Sequence, residues 1–290
     1  MKLIKKSLSF ITAIACCAAI SGIMPFSSSA EESVKTYGDL SYITLDSDGD
    51  GTDDYAQIVD CNETAVEVDI PAEIEGLPVK STRDWAFADC KSLTSISVPD
   101  SVNAIGNGAF SGCSSLASIN IPNSVTTIRG SAFCNCLSLT SITIPESVTS
   151  IEIAAFSGCS SLTNITIPDL VDTIGDHAFY NCSSLTNITV SENNKYFSSL
   201  NGVLFNKDKT ELITYPIGNE RTEYTIPDSV TSIIEGAFAY CSNLITVKIP
   251  DSVTDITDKT FYVCSSLTSV TIPDSVTHIG YNAFKYCKNL

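Results

Sequence analysis

Two groups of residues have types and spacing that could do chemistry, and the first is an acidic run. Asp46, Asp48, Asp50 and Asp54 stand at the first, third, fifth and ninth positions of a loop whose sixth position is Gly51. Carboxylates with this spacing suit oxygen ligation of Ca²⁺. The twelfth position is a glutamine, which cannot supply a bidentate carboxylate. Any Ca²⁺ site formed here is therefore expected to be weak.

The same loop has a structural interpretation as the tip of a β-hairpin. Asp-Gly pairs form tight turns between strands, and the flanking segments Ser41–Leu45 and Tyr55–Val59 are predicted strands. We expect this hairpin, within residues 31–69, to cap the apolar end of the structure that follows.

The second group is a set of cysteines that recur at steps of 23 residues in two series. They are Cys90, Cys113, Cys136, Cys159 and Cys182, followed by Cys241, Cys264 and Cys287. A cysteine that stands between Phe and Leu in each repeat is expected to behave as a small buried apolar residue, so we predict free thiols. Disulfides between neighbouring repeats are the alternative, because export favours them and adjacent thiols could come within reach.

Two further cysteines, Cys61 and Cys134, fall outside these series. Cys134 and Cys136 form a Cys-x-Cys pair, but we expect Cys134 to face outward and Cys136 to face inward. This orientation argues against metal chelation by the pair.

Catalytic chemistry has little to be built from. The chain has two histidines, His177 and His278, at unrelated positions. Nucleophile-elbow, dinucleotide-binding and phosphate-loop motifs do not occur in the sequence. We therefore expect neither an enzyme nor a cofactor, with a hydrolase that uses surface carboxylates as a remote alternative.

The N-terminus resembles a secretory signal peptide. Lys2, Lys5 and Lys6 precede the apolar segment Leu8–Met24, and small residues precede a predicted cleavage after Ala30. We assign residues 1–30 to the signal and expect a secreted or cell-surface protein.

Charge restricts the partners. Lys and Arg total 16 against 33 Asp and Glu, which gives a net charge of -17 over 290 residues. Such a chain is repelled by nucleic-acid phosphates and by anionic bilayers. After the signal, no apolar stretch approaches the ~20 residues that span a membrane, so we expect no membrane insertion.

One motif is repeated along most of the chain. A phenylalanine stands three residues before each cysteine of the two series. These residues are Phe87, Phe110, Phe133, Phe156, Phe179, Phe238, Phe261 and Phe284. We count nine coils from residue 70 to 290, of which the sixth, residues 190–225, is a longer variant and the last, from Ile272, is truncated at Leu290.

The unit 144–166 shows how one coil is expected to fold. Apolar and polar residues alternate from Leu162 to Ile167, as in a strand with one buried face. Pro168 then ends the strand and forms a corner. Val148 and Ile151 predict a second short strand, and the segment before Cys159 predicts a short helical turn.

A single coil cannot fold alone. Burial of about eight apolar side chains at roughly 2 kcal/mol each does not offset the roughly 25 to 35 kcal/mol needed to order its backbone. Stacked coils share their interfaces, so the chain is predicted to be a β-rich solenoid, a right-handed superhelix of short parallel strands with proline corners.

The run Leu162-x-x-Ile165-x-Ile167-Pro168, with later residues at fixed offsets, resembles the leucine-rich repeat. More narrowly, it resembles the bacterial BspA-like subclass over residues 70–290. The variant coil, from Asn201 to Pro216, is similar to a hairpin-bearing repeat interspersed in such proteins. This resemblance implies a parallel-sheet ribbon at the cell surface, often associated with adhesion or partner binding, and no catalytic residues.

Aromatic residues that follow the repeated phenylalanine are the best candidates for a binding surface. Tyr180, Tyr240, Tyr262 and Tyr286 lie in the C-terminal half and are expected to be exposed. Tyrosine is enriched at binding hot spots. We predict that these four tyrosines contact an extracellular protein or glycan.

Two functions remain open. The first is a non-catalytic exported module for protein or glycan binding, acting in cell-surface adhesion. The second is a spacer or scaffold that displays domains absent from this chain. The predicted solenoid also has no polar terminal repeat after Leu290, so we expect either a truncated product or fragment, or an open C-terminal end that self-associates with another chain.

Overall fold

A computed structural model describes residues 33–290 as strands joined by turns. The predicted signal peptide, residues 1–30, lies outside the described residues. The described part contains no helix and therefore no helical segment that could cross a bilayer.

The N-terminal strands form a cap that is continuous with the first coil. They are β1 (Lys35–Tyr37), β2 (Leu40–Leu45), β3 (Tyr55–Cys61), β4 (Glu67–Asp69), β5 (Glu73–Ile74) and β6 (Leu77–Thr82). Strands β2 and β3 are antiparallel, which confirms the predicted hairpin. Strand β3 also pairs in parallel with β6, so the cap supplies the first edge on which the coils stack.

The coils carry short parallel strands. Those before the variant coil are β7 (Ser95–Ser97), β8 (Ser118–Ile119), β9 (Thr127–Ile128), β10 (Ser150–Ile151), β11 (Asn164–Ile167), β12 (Thr173–Ile174) and β13 (Asn187–Val190). The remainder are β14 (Phe197–Leu200), β15 (Val203–Asn206), β16 (Glu211–Thr214), β17 (Glu223–Thr225), β18 (Ser232–Ile233), β19 (Thr246–Lys248), β20 (Asp255–Ile256), β21 (Ser269–Thr271) and β22 (His278–Ile279). Parallel sheets on successive coils confirm the predicted solenoid.

The unit 144–166 contains both predicted strands, β10 and β11. In β11, Ile165 and Ile167 are buried, and Asn164 and Thr166 face solvent. This strand pairs in parallel with β13, with Asn164 opposite Asn187, so the register advances by one repeat per coil. The sequence period therefore fixes which residues become neighbours along the axis.

The coil interior is a column of identical groups. The phenylalanine rings stack on each other, with centroids 5.5 Å apart for Phe133 and Phe156. In the regular coils the repeated thiol donates to the backbone carbonyl of the phenylalanine in the preceding coil, as Cys159 does to Phe133 over 3.1 Å. The described cysteines form no disulfide in this structure.

Two local expectations were wrong. The segment around Ala155 is a series of hydrogen-bonded turns, not a helical turn, because Ala154 and Gly158 on either side of Phe156 have positive φ values of 54° and 76°. A left-handed residue ends the helical hydrogen-bond pattern. Cys134, which was expected to face outward, is buried at 4% exposure because its position packs between the turns of adjacent coils.

The variant coil contains an antiparallel excursion. Strands β14 and β15 form a hairpin whose turn, Asn201-Gly202, has φ values of 53° and 84°. Strand β16 pairs antiparallel to β15 and parallel to β18, which returns the chain to the solenoid. Tyr215 then takes the place of the repeated phenylalanine and stacks on Phe238 at 5.2 Å.

Candidate functional site

In the regular coils, the turn around the repeated phenylalanine donates hydrogen bonds from three backbone amides to the next coil. The amides of Ala154, Phe156 and Gly158 donate to carbonyl oxygens of the following coil over 3.0, 2.9 and 2.8 Å. The same pattern joins the turns around Phe87, Phe110, Phe133, Phe238 and Phe261 to the coil after each. These hydrogen bonds between turns therefore join each regular coil to the one that follows it.

The turn around Phe179 breaks this pattern. The amides of His177, Phe179 and Asn181 occupy the same three positions, yet within residues 33–290 none of them has a hydrogen-bond partner. The variant coil follows, and it runs from β16 directly into Tyr215 without the turn residues that precede phenylalanine elsewhere. The missing turn leaves the three amides uncovered.

The opposite wall presents two backbone carbonyls that accept no backbone amide of the described chain. Tyr215 donates its amide to the carbonyl of Ala237 over 2.9 Å, as a phenylalanine would. The carbonyls of Glu235 and Ala239 hold positions that accept turn amides in regular coils, but no backbone amide of the described chain reaches them. Donors and acceptors thus face each other across the space of one missing turn.

We call this space the junction cleft, with walls at residues 174–178 and 234–237 and a floor at Ile213–Tyr215. The buried core also divides here into two clusters. A Cβ added to Gly236 would meet nothing nearer than 3.9 Å, whereas one added to Gly108 would meet the Trp85 ring at 2.3 Å. Gly236 therefore borders open space where coils elsewhere are in close contact.

The four predicted tyrosines form one continuous row, here called the tyrosine row. Successive rings of Tyr180, Tyr240, Tyr262 and Tyr286 pack edge to face with centroids 5.4, 5.6 and 5.6 Å apart. The hydroxyls of Tyr180 and Tyr240 hydrogen-bond over 3.0 Å although the residues lie 60 positions apart. The structure therefore brings together all four residues, and the row bridges the junction cleft.

The exposure of the row differs from the expectation. Tyr286 is exposed at 52%, whereas the other three tyrosines are half-buried because each ring packs against the next. The row alternates between the first and second positions after phenylalanine, and this stagger sets neighbouring rings at steep angles. Edge-to-face contact stabilises aromatic pairs beyond their buried area.

Charged and basic groups border the row. The ring of His177 contacts Tyr180 at 5.2 Å, and the Lys285 ammonium lies 5.1 Å from the centroid of the Tyr286 ring. Lys259 forms an ion pair with Glu235 at 2.7 Å, and the hydrogen bond that the ammonium donates to this carboxylate raises the pKa of the lysine. The row thus offers aromatic surface, cations and hydroxyls together.

The acidic loop is only partly the arrangement predicted for Ca²⁺. Carboxylate oxygens of Asp46, Asp48 and Asp50 lie within 4.8 Å of one another, but Asp54 is not part of this group. Asp46 accepts the amides of residues 49 and 51, at 2.7 and 2.8 Å, and these bonds lower its pKa. Asp54 instead accepts the amide of Ser47 at 2.7 Å. Hydrogen bonds of the hairpin tip account for these contacts.

The buried thiols offer no reactive nucleophile. Burial raises the pKa of Cys136 and Cys159 well above the usual value, so both are protonated at neutral pH. A thiolate is the reactive form of cysteine. These residues fill the core, and Cys134 is buried beside them.

The junction cleft was not anticipated from the sequence, although a signal was present. Phe179 and Cys182 have no counterparts until Phe238 and Cys241, so the variant coil lacks the turn motif. A missing turn in one coil predicts uncovered amides in the coil before it, because each turn normally supplies the acceptors for its predecessor.

Comparison with known proteins places this architecture in a class. The fold is that of leucine-rich repeat proteins, and the chain matches the BspA-type leucine-rich repeat region in six copies over residues 80–208 and 218–290. The chain belongs to this family. The resemblance inferred from the repeat is thereby confirmed.

Solved structures show the same fold. A leucine-rich cell surface protein from Faecalibacterium prausnitzii is 28% identical, with a TM-score of 0.64 over 91% of this chain and 82% of that one. A leucine-rich repeat protein from Eubacterium ventriosum is 28% identical, with a TM-score of 0.65 over 88% of this chain and 69% of that one. The pneumococcal vaccine antigen PcpA, 23% identical with a TM-score of 0.68 over 86% and 78% of the two chains, shares the fold. The comparison with curated proteins found no match.

Proposed function

We propose that this protein is an exported, non-catalytic binding module of the cell surface, which contacts a protein or glycan through the tyrosine row and acts in adhesion. The observation that carries this proposal is the row itself, because four aromatic side chains from separate coils form one continuous surface. A repeat fold provides such a surface by stacking equivalent positions.

Four further features support this function. The sequence begins with a signal-like segment, and a similar protein from Faecalibacterium prausnitzii is described as a cell surface protein. Tyrosines with one apolar face and one hydroxyl suit protein and glycan surfaces alike. The described cysteines are held as structural thiols, so the core contributes packing and not chemistry.

Binding to glycan arrays and to extracts of host and microbial surfaces tests the proposal. We expect Tyr262→Ser combined with Tyr286→Ser to weaken binding by about tenfold or more, since tyrosine hot spots carry ~2 kcal/mol or more. Tyr37→Ser is the control, because the exposure of Tyr37, 51%, is close to the 52% of Tyr286. Tyr37 lies in β1 of the N-terminal cap and is not part of the tyrosine row.

A ligand whose capture is unchanged in the double variant would remove the tyrosine row as the binding surface. The absence of any ligand on arrays and in extracts would instead favour the spacer or scaffold function.

A further inference from the structure

We propose that the junction cleft binds one extended segment of a partner protein through its main chain, a proposal that rests on the binding function above and gives its partner a chemical class. The segment replaces the turn that the variant coil lacks. It accepts a hydrogen bond from the amide of His177 and donates one to the carbonyl of Glu235.

The regular coils define this geometry. The amide of Ser131 donates to the carbonyl of Ile153, and the next amide along the chain, that of Ala154, donates to the carbonyl of Asp176 in the following coil. Every intervening turn thus accepts through one carbonyl and donates through the following amide. At the junction cleft, the amide of His177 is the donor and the carbonyl of Glu235 is the acceptor, and no turn of the described chain bonds to both.

A polypeptide supplies the acceptor followed by a donor that the two walls require. A peptide backbone supplies a carbonyl and then an amide in fixed alternation, and addition of an extended peptide to an unpaired backbone edge is an established mode of recognition. An isolated anion could accept from His177 but could not donate to Glu235. A peptide therefore satisfies both walls with one ligand.

The side chains around the cleft are compatible with such an occupant. Gly236 projects nothing into the opening, and Ile174, Ile213 and Ile234 give the cleft an apolar lining. Tyr180 and Ala239 also line the cleft, and the hydroxyl of Tyr180 hydrogen-bonds that of Tyr240. A partner segment would consequently enter beside His177 and Gly236 and lie next to the tyrosine row.

Selection from a displayed library of random linear peptides on the full chain tests this inference. The key variant is Gly236→Asn, which fills the opening with a side chain. Its backbone is suited to the change, because Asn282 holds the equivalent position with a positive φ of 58°. Asn282→Lys is the control, since it alters the same position of a coil outside the cleft.

We expect enriched peptides to lose about tenfold or more in affinity for Gly236→Asn, the loss that two main-chain hydrogen bonds would cause. Asn282→Lys should bind them unchanged. N-methylation of the peptide amide that meets Glu235 should abolish binding, and the amide of His177 should become protected from hydrogen exchange in the complex.

The inference would be overturned if no enriched peptide depended on Gly236, or if peptides bound without protecting the amide of His177 from exchange. The double variant of Tyr262 and Tyr286 distinguishes failure of this inference from failure of the binding function proposed for the tyrosine row. That variant should keep cleft peptides while it loses ligands of the tyrosine row.

Discussion

Coils 144–166 and 167–189 have nearly the same motif but different surroundings. The turn around Phe156 donates three backbone hydrogen bonds to the coil that follows. The three equivalent amides around Phe179 donate to no described residue. The difference arises in the next coil, which lacks a turn. In a solenoid, each coil contacts only its neighbours, and the backbone groups of one coil are hydrogen-bonded by the next. A site can therefore form where the following coil lacks the turn that would make these bonds.

The aromatic column provides the largest test of this comparison. Phe156 stacks on both sides, with ring centroids 5.5 and 5.9 Å away, whereas Phe179 has a ring of the described chain stacked on one side only. We expect Phe156→Ala to lower the free energy of unfolding by about 3–5 kcal/mol and Phe179→Ala to lower it by less. Urea unfolding of both variants measures this, and equal losses would indicate that the junction cleft is as closely packed as a regular coil.

Hydrogen exchange compares the two turns directly. The amide of Phe156 is hydrogen-bonded to the next coil, and that of Phe179 is not. We expect the Phe179 amide to exchange about a hundredfold faster or more, because it can exchange without opening of the stack. Amide-resolved exchange by NMR provides the measurement. Similar protection at both amides would argue that the cleft is already filled by the chain itself.

The buried cysteine thiols on both sides of the junction cleft should make the free energy of unfolding depend on pH in the alkaline range. Burial raises the pKa of Cys182 from 9.0 to about 12. Between these values the unfolded chain releases a proton that the folded chain retains, so stability is complete below pH 9 and falls as the pH rises toward 12.

We expect Cys182→Ala to reduce the slope of unfolding free energy against pH by about 1.4 kcal/mol per pH unit in that window. Denaturant unfolding at several pH values checks this change. An unaltered slope would mean that Cys182 is ionisable in the folded protein and that water enters the core at the junction.

The smallest expected effect concerns the contact across the cleft. Tyr180→Phe removes the hydroxyl that bonds Tyr240 over 3.0 Å. A hydrogen bond of this kind contributes about 0.5–1.5 kcal/mol. Tyr262→Phe is the control, because its contacts with neighbouring tyrosines are between rings. If the two variants have the same thermal stability, the hydroxyl contact does not hold the two halves of the cleft together.

Much of the fold could be predicted because each local preference repeats at a fixed period. Alternation around Ile165 predicted the strand, and the spacing of Phe156 and Cys159 predicted a buried column. The helical turn was wrong because the left-handed conformation of Ala154 has no signature in an alanine. The outward orientation of Cys134 was wrong because burial at that position depends on the adjacent coils.

The sequence by itself determined the repeat, the buried residues of each coil and the set of four tyrosines, because local periodicity decides which side chains face a common axis. Only the tertiary structure decided that Tyr180 and Tyr240 meet across the variant coil and that His177 faces Glu235 across an open cleft. These contacts join residues about sixty positions apart, and their geometry depends on how much space the intervening chain fills. That volume is set by packing in three dimensions and not by any single motif.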